Sequence, residues 1–134
     1  MTVPAIDAFD HVHLMVADRA AAERWYREVL GLTRVPELEM WTTDGGPLTL
    51  RNAADTVHLA LFERTPQPSR TTIALRVDAG AFIAWRAHLQ AALGRPLAVE
   101  DHDVALSIYF SDPDGNPFEI TSYEHAVVRE LLAR

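Results

Sequence analysis

A chain of 134 residues with a formal net charge of −7 and no cysteine already excludes several classes of protein. Without cysteine there are no disulfides, thiolate zinc sites or cysteine nucleophiles, and an acidic chain lacks the basic face that a nucleic-acid partner requires. The hydrophobic share of 49% is ordinary for a soluble globular protein, and no apolar run reaches the ~18–20 residues of a membrane span. We therefore expect one domain over residues 1–134. A cytoplasmic location is the default, because the N-terminus has no basic segment typical of a signal peptide.

The first predicted element is a strand over residues 8–17, where polar and apolar residues alternate between two faces. One face carries Asp10, Val12, Leu14 and Val16, and the other carries Phe9, His11, His13 and Met15. We expect the first face to pack against a helix and the second to line a cavity. Asp18 is a suitable N-cap for the next helix, and Gly31 is the residue expected after its end.

An irregular segment over residues 36–46 follows, and its Trp41 is interpreted either as a lid over the cavity or as a core residue. Residues 47–51 and 56–63 are predicted strands. In the second of them, His58, Ala60 and Phe62 alternate with Val57, Leu59 and Leu61. The proline-containing stretch 63–70 is the predicted connector to a second half.

The second half repeats the order of the first. Thr72, Ala74 and Arg76 share one face of a strand, Asp78 is the predicted N-cap of a helix, and Gly94 ends that helix. Strands are predicted over 97–101, 104–110 and 117–123, with a turn at residues 112–116 between the last two. A short helix is expected over 124–134.

Shifting the chain by 61 residues carries His11 onto Thr72 and His58 onto Glu119. This repeat predicts an α+β fold of two βαβββ modules, residues ~8–65 and ~70–124, with helices outside a curled mixed β-sheet cup. Matched polar positions in the two modules favour a cavity that the modules share.

Two stretches carry a resemblance to a known family. Residues 9–18, continued by 25–32, and residues 109–120 resemble the vicinal oxygen chelate superfamily of glyoxalases, extradiol dioxygenases and bleomycin-resistance proteins. The likeness extends over nearly the whole chain. It implies the fold described above, but a fold alone does not identify a reaction.

The resemblance also implies a divalent metal in the cup, bound by the first and last strands of each module. His11 and Glu119 match two of the ligand positions in residue type. His58 occupies a position where relatives often have Glu, and Thr72 a position where relatives usually have His. His11, His58 and Glu119 would suit Fe2+, Mn2+, Ni2+ or Zn2+ and would leave positions open for a substrate.

Other polar residues on the predicted inner faces are candidates for catalysis or substrate binding. Glu119, Tyr109 and His102 are the predicted catalytic residues, and His13, Arg76, Thr72, Phe62 and Ser107 the predicted substrate-binding residues. Each has a plainer alternative. Arg76 could instead form a salt bridge with Glu119, His102 could be a surface residue, and Tyr109 could serve packing alone.

Two functions compete. The first is a metal-dependent enzyme of the glyoxalase or extradiol dioxygenase type, which chelates a small substrate through vicinal oxygens. The alternative is a metal-free protein that binds or sequesters a bulky cationic small molecule, as bleomycin-resistance proteins do. Thr72 and the negative charge favour the alternative, whereas His11, His58 and Glu119 together favour the enzyme. The resemblance also predicts a homodimer.

Overall fold

The computed structural model describes residues 2–67 and 69–134, and of Asp44 the backbone alone. The chain divides into two compact units. The first comprises Met1–Arg27 and Gly31–Thr65, and the second comprises Glu28–Leu30 and Pro66–Arg134. The boundary after Thr65 lies within the predicted connector.

The first unit contains one four-stranded mixed sheet. In chain order the elements are β1 (Val12–Val16), α1 (Arg19–Leu30), β2 (Thr33–Arg34), a 3-10 helix (Pro36–Asp44), β3 (Leu48–Arg51) and β4 (His58–Glu63). The last three residues of α1 belong to the second unit. The strand order is β1-β4-β3-β2. β1 runs parallel to β4, and the other neighbouring strands are antiparallel.

The second unit repeats this arrangement. Its elements are β5 (Ile73–Arg76), α2 (Ala79–Leu93), β6 (Glu100–Asp101), β7 (Leu106–Ser111), β8 (Pro117–Ser122) and α3 (His125–Leu132). The order β5-β8-β7-β6, with β5 parallel to β8, matches the first sheet strand for strand. The two predicted βαβββ modules and the α+β class are therefore confirmed.

The ends of the first two helices follow from their sequences as predicted. The Asp18 carboxylate accepts from the Ala21 amide at 3.0 Å, and the Asp78 carboxylate accepts from the Ala81 amide at 2.8 Å, so each satisfies a free amide of a first turn. Gly31 and Gly94 end α1 and α2 with φ of 70° and 69°. A residue without a Cβ adopts this left-handed conformation most easily.

Two predicted strands are shorter in the structure by three residues or more, for identifiable reasons. β1 begins at Val12 rather than residue 8, because its partner β4 begins only at His58. The amides of the two residues before His58 bind the side-chain oxygen of Asn52 instead of a neighbouring strand. The predicted strand 97–101 is reduced to Glu100–Asp101. The backbone of Leu97 is held by the Gln90 and Arg86 side chains of α2.

Sheet register shows which positions of the repeat correspond. His13 lies opposite Ala60 in the first sheet, and Ala74 lies opposite Glu119 in the second. The 61-residue shift carries His13 onto Ala74, so Glu119 corresponds to Ala60. The predicted correspondence of His58 with Glu119 is therefore wrong by two residues. It failed because the connections between β1 and β4 and between β5 and β8 differ in length.

Each unit buries alternate residues of its strands. The buried residues of the first unit include Val16, Tyr26, Leu50, Leu59 and Leu61, and those of the second include Phe82, Leu89, Ile108, Phe118 and Ile120. The opposite strand positions carry the polar residues predicted to be functional. Among the described residues, no helix combines the length and apolar character needed to cross a bilayer.

Candidate functional site

The first unit contains a cavity of about 280 Å³ on the polar face of its sheet. Its lining residues are Asp10, His11, Val35, Glu37, Leu38, Trp41, Pro47, Thr49, Arg51, Asp55, His58 and Ala60. The neighbouring strands β3 and β4 form the floor of the cavity. In this pair of strands Thr49 lies opposite Ala60, and Arg51 lies opposite His58. Parity thus places His58 and Ala60 on the cavity side, as predicted, while Leu59 and Leu61 are buried behind them.

The wall of the cavity is the 3-10 helix, which contributes Glu37, Leu38 and Trp41. Arg19 holds this helix in place from α1. Its guanidinium donates to the Gly46 carbonyl at 2.6 Å and to the Thr42 carbonyl at 3.2 Å. Trp41 is 49% exposed and lines the cavity, so it is not a core residue, and its role as a lid stays a prediction.

Asp55 organises the rim of the cavity at the turn between β3 and β4. Its backbone has a φ of 60°, a left-handed conformation that Asp and Asn tolerate better than most residues. The His58 ring is 2.7 Å from the Asp55 carboxylate. Arg51 lies 3.7 Å from the same carboxylate and 3.9 Å from that of Glu37.

His11, just before β1, also lines the cavity. Its Nδ1 is 2.7 Å from the Asp10 carboxylate, and its Nε2 is 2.9 Å from Nε2 of His13. His13 in turn packs on the Phe62 ring with 4.7 Å between centroids. The predicted residues His11, His13 and Phe62 therefore form one continuous contact on the exposed face of the sheet.

A second polar cluster lies on the sheet of the second unit and brings together the three predicted catalytic residues. Tyr109 lies opposite Glu119 on β7 and β8, and its hydroxyl is 3.0 Å from Nε2 of His102. Ser107 donates to the Glu119 carboxylate at 2.7 Å. Partial burial raises the pKa of Tyr109, and the negative charge of Glu119 raises it further. His102 is therefore a partner of Tyr109 rather than an isolated surface residue.

The predicted residues Thr72 and Arg76 lie at the two ends of β5, Thr72 just before it and Arg76 as its last residue. Thr72 directly precedes β5, just as His11 directly precedes β1, so the predicted equivalence of these two positions is confirmed. Both Thr72 and Arg76 are exposed. The alternative salt bridge between Arg76 and Glu119 is not formed, since no ion pair found among the described residues includes Arg76.

The residues at the corresponding ligand positions do not fit a resident three-ligand metal. Register and repeat together identify four such positions, occupied by His11, Ala60, Thr72 and Glu119. Methyl and hydroxyl side chains are poor replacements for imidazole and carboxylate. Nowhere in residues 2–67 and 69–134 do three or more His, Cys, Asp or Glu side chains form a group that could hold a metal ion. The joint set of His11, His58 and Glu119 stays a prediction.

The sequence did not identify all the charged groups of the cavity. Arg51, Asp55, Glu37 and Asp10 line it, yet none was a predicted site residue. Arg51 could have been found from the sequence, because it ends the predicted strand that comes just before that of His58 in the chain. Glu37 and Asp55 lie outside the strands, where alternation gives no direction for a side chain.

Comparisons with known proteins agree with this fold. The model of the Glyoxalase/Bleomycin resistance protein/Dioxygenase superfamily matches residues 8–120. A search of curated proteins gives no match.

Several solved structures share the fold at low sequence identity. A fosfomycin resistance protein, FosX, from Listeria monocytogenes, complexed with Mn(II) and sulfate, has a TM-score of 0.67 and 15% identity over 96% of this chain and 99% of its own. A glyoxylase/bleomycin resistance protein/dioxygenase domain from Frankia sp. EAN1pec gives 0.69 and 15%, over 90% and 94%. A lactoylglutathione lyase from Agrobacterium tumefaciens gives 0.66 and 23%, over 89% and 96%.

Proposed function

Because this chain belongs to the glyoxalase/bleomycin resistance protein/dioxygenase superfamily, we propose that it is a binding protein whose first unit holds a small organic cation. The ligand has a flat aromatic part and needs no resident metal. The observation that carries this proposal is the lining of the cavity, which combines an excess of carboxylates with a half-exposed indole ring. Cavities of this kind bind ligands through apolar contact and a few placed polar groups.

The charges around the cavity favour a cation. Three carboxylates, those of Asp10, Glu37 and Asp55, and one guanidinium, that of Arg51, line the cavity. Arg51 is more than 3.5 Å from both Glu37 and Asp55, so these ion pairs are loose. Asp10 and Asp55 are each 2.7 Å from a histidine ring, so Glu37 is the carboxylate most open to a ligand. A concave surface with an excess of negative charge also concentrates cations from solution.

Trp41 supplies the aromatic contact. Its ring belongs to the cavity wall and is half exposed, so a flat ligand can stack on it without displacing core residues. A cation over an indole face gains roughly 0.5–2 kcal/mol, depending on how far the pair is removed from water. Trp41 and Glu37 lie on the same 3-10 helix. The aromatic contact and the negative charge that attract the ligand are therefore on the same wall of the cavity.

A titration with 9-aminoacridine, a flat aromatic cation, tests the proposal in buffer that contains EDTA. We expect binding to quench the fluorescence of Trp41, and anthracene-9-carboxylate, a flat anion, to bind at least tenfold more weakly. Glu37→Gln and Trp41→Leu should each weaken 9-aminoacridine binding about tenfold, which corresponds to 1.4 kcal/mol. Glu39→Gln is the matched control, because Glu39 lies on the same helix and pairs with Arg34. Equal binding of the cation and the anion would contradict the proposal.

A metal-dependent enzyme of the glyoxalase or extradiol dioxygenase type is the second candidate. It is favoured by the contact between Tyr109 and His102 beside Glu119, since three groups able to hold protons lie together. Elemental analysis of protein purified without added metal tests this candidate. About one transition-metal ion per chain in the wild type, lost in Glu119→Gln, would favour the enzyme over the metal-free binding protein.

A further inference from the structure

The second unit contains a separate cleft beside its last helix, which we call the α3 cleft. Its volume is about 350 Å³, within the range of roughly 300–1,000 Å³ that is usual for small-molecule sites. Its lining residues are Val99, Asp101, Leu106, Arg129, Leu132 and Ala133. Three of them lie on α3 or directly after it, whereas the match to the family model ends at residue 120. The cleft is therefore formed in part by a segment outside the family match.

The wall that α3 contributes is charged at one end and apolar at the other. His125, Arg129 and Leu132 follow one another at spacings of four and three residues, so their side chains share one face of the helix. His125 and Arg129 both contact the Asp101 carboxylate of β6. Leu132 lies about one turn further along the helix. A ligand with one charged end and an apolar body matches this wall.

The opposite wall of the α3 cleft is mainly apolar. Leu106 lies opposite Asp101 in the pairing of β6 with β7, and Val99 lies just before β6. Leu106 is buried, whereas Val99 and Leu132 are only partly buried. The cleft therefore exposes apolar side chains, and a ligand that covers them gains free energy by removing their surface from water.

The carboxylate of the α3 cleft is already occupied by its neighbours. Oδ1 of Asp101 lies 2.7 Å from Nε2 of His125 and accepts from the Asp103 amide at 2.8 Å. Oδ2 of Asp101 accepts from Nη1 of Arg129 at 3.2 Å. The hydrogen bond with His125 is the main reason that the pKa of Asp101 is lowered. Because both oxygens have partners, Asp101 offers little to a cationic ligand.

Arg129, in contrast, has donors to spare. A guanidinium carries five N–H groups, and within the described part of the chain the only one of Arg129 that forms a hydrogen bond is on Nη1, to Asp101. The Arg129 side chain is 63% exposed, so its remaining donors are accessible. The contact with Asp101 positions the guanidinium at the cleft. A planar carboxylate fits such a fork through two parallel hydrogen bonds.

We propose that the α3 cleft binds a small monocarboxylate with an apolar body. Its carboxylate accepts hydrogen bonds from Arg129, and its apolar body packs against Val99, Leu106 and Leu132. One carboxylate and one guanidinium line this cleft, so its charges balance, whereas the cavity of the first unit has an excess of carboxylates. The two sites therefore take ligands of opposite charge. The inference does not rest on the proposed function, because it uses no residue of the first unit.

The test is an NMR titration of the full chain with 4-phenylbutanoate. The wild type should bind it with a Kd of about 1 mM or tighter, the scale expected for a ligand of this size, and the shifted amides should lie on α3, β6 and β7. 4-Phenylbutan-1-ol and 4-phenylbutylamine have the same apolar body without the carboxylate. Each should bind about tenfold more weakly, because the charge-assisted hydrogen bonds with Arg129 are lost. This comparison uses the wild type alone and so does not depend on the folding of a variant.

Variants then assign the effect to one side chain. Arg129→Gln should lower the affinity for 4-phenylbutanoate about tenfold and leave that for the alcohol unchanged. Arg134→Gln is the matched control, because Arg134 pairs with Glu130 and is not a lining residue. Glu37→Gln should bind the acid as the wild type does. The proposal is overturned if the wild type shows no saturable shift, if the amine binds as tightly as the acid, or if Arg129→Gln binds the acid unchanged. A loss of binding in Glu37→Gln would equally overturn it, since the acid would then occupy the first unit.

Discussion

Tyr109 lies between two ionisable side chains of the second unit, His102 and Glu119. His102 contacts its hydroxyl, and Glu119 lies directly across the strand pair. Partial burial and the Glu119 charge both favour the neutral phenol and raise its pKa, whereas the hydrogen bond with Ser107 lowers it. Because the folded pKa is raised, this group contributes stability below pH 10 that is lost as pH rises through the folded value.

The first prediction separates these influences on Tyr109. Glu119→Gln should move the pKa of Tyr109 down towards 10.0, because the carboxylate that opposes the phenolate is gone. Ser107→Ala should move it the other way, since it removes a hydrogen bond that favours the phenolate. Tyrosinate absorbance measured against pH, with Tyr109→Phe subtracted, gives the value. An unchanged or raised pKa in Glu119→Gln would show that the carboxylate does not act through its charge.

The 3-10 helix distinguishes the two units at the scale of elements. In the first unit, residues 35–47 connect the second and third strands, whereas residues 102–105 do so in the second. The longer connection provides the cavity wall with Glu37 and Trp41. A turn of ordinary length would leave this face of the first sheet without that wall, so ligand binding in the first unit depends on an insertion in one of two otherwise matching modules.

The second prediction concerns Gly46, which lies between the 3-10 helix and β3 and is in close contact with the backbone of Trp41. A Cβ added at Gly46 would collide with the backbone carbonyl of Trp41. The clash could be relieved only by moving the backbone, because the atom that is hit does not belong to a flexible side chain. We expect Gly46→Ala to lower the free energy of unfolding by about 1–3 kcal/mol and to weaken ligand binding. Gly80→Ala is the matched control, because its nearest contact is the Asp78 carboxylate at an ordinary 3.7 Å. Urea unfolding of both variants provides the measurement. If Gly46→Ala were as stable as the wild type, the 3-10 helix would be able to shift and accommodate the added methyl group.

At the scale of the whole molecule, local patterns were sufficient to predict most of the fold. Alternation predicted the faces of β1 and β4, and Asp18 and Gly31 predicted both ends of α1. These local patterns could not predict how the strands pair residue by residue. The pairing depends on hydrogen bonds such as those to the Asn52 side chain, which decide where β4 begins. The corrected register replaced His58 by Ala60 as the counterpart of Glu119. The cavity was missed in part because its wall comes from an irregular segment.

The last prediction is the homodimer that the family resemblance implies. Val3, Ile6 and Phe9 are each more than 90% exposed on the segment before β1. Several apolar side chains exposed together are typical of an interaction surface, so we expect this segment to be covered in a dimer. Light scattering should give twice the chain mass of 14.9 kDa. Phe9→Ser should shift the equilibrium towards monomer, whereas Val104→Ser, at an exposed apolar residue of the second unit, should not. A wild-type monomer at every concentration would refute the prediction.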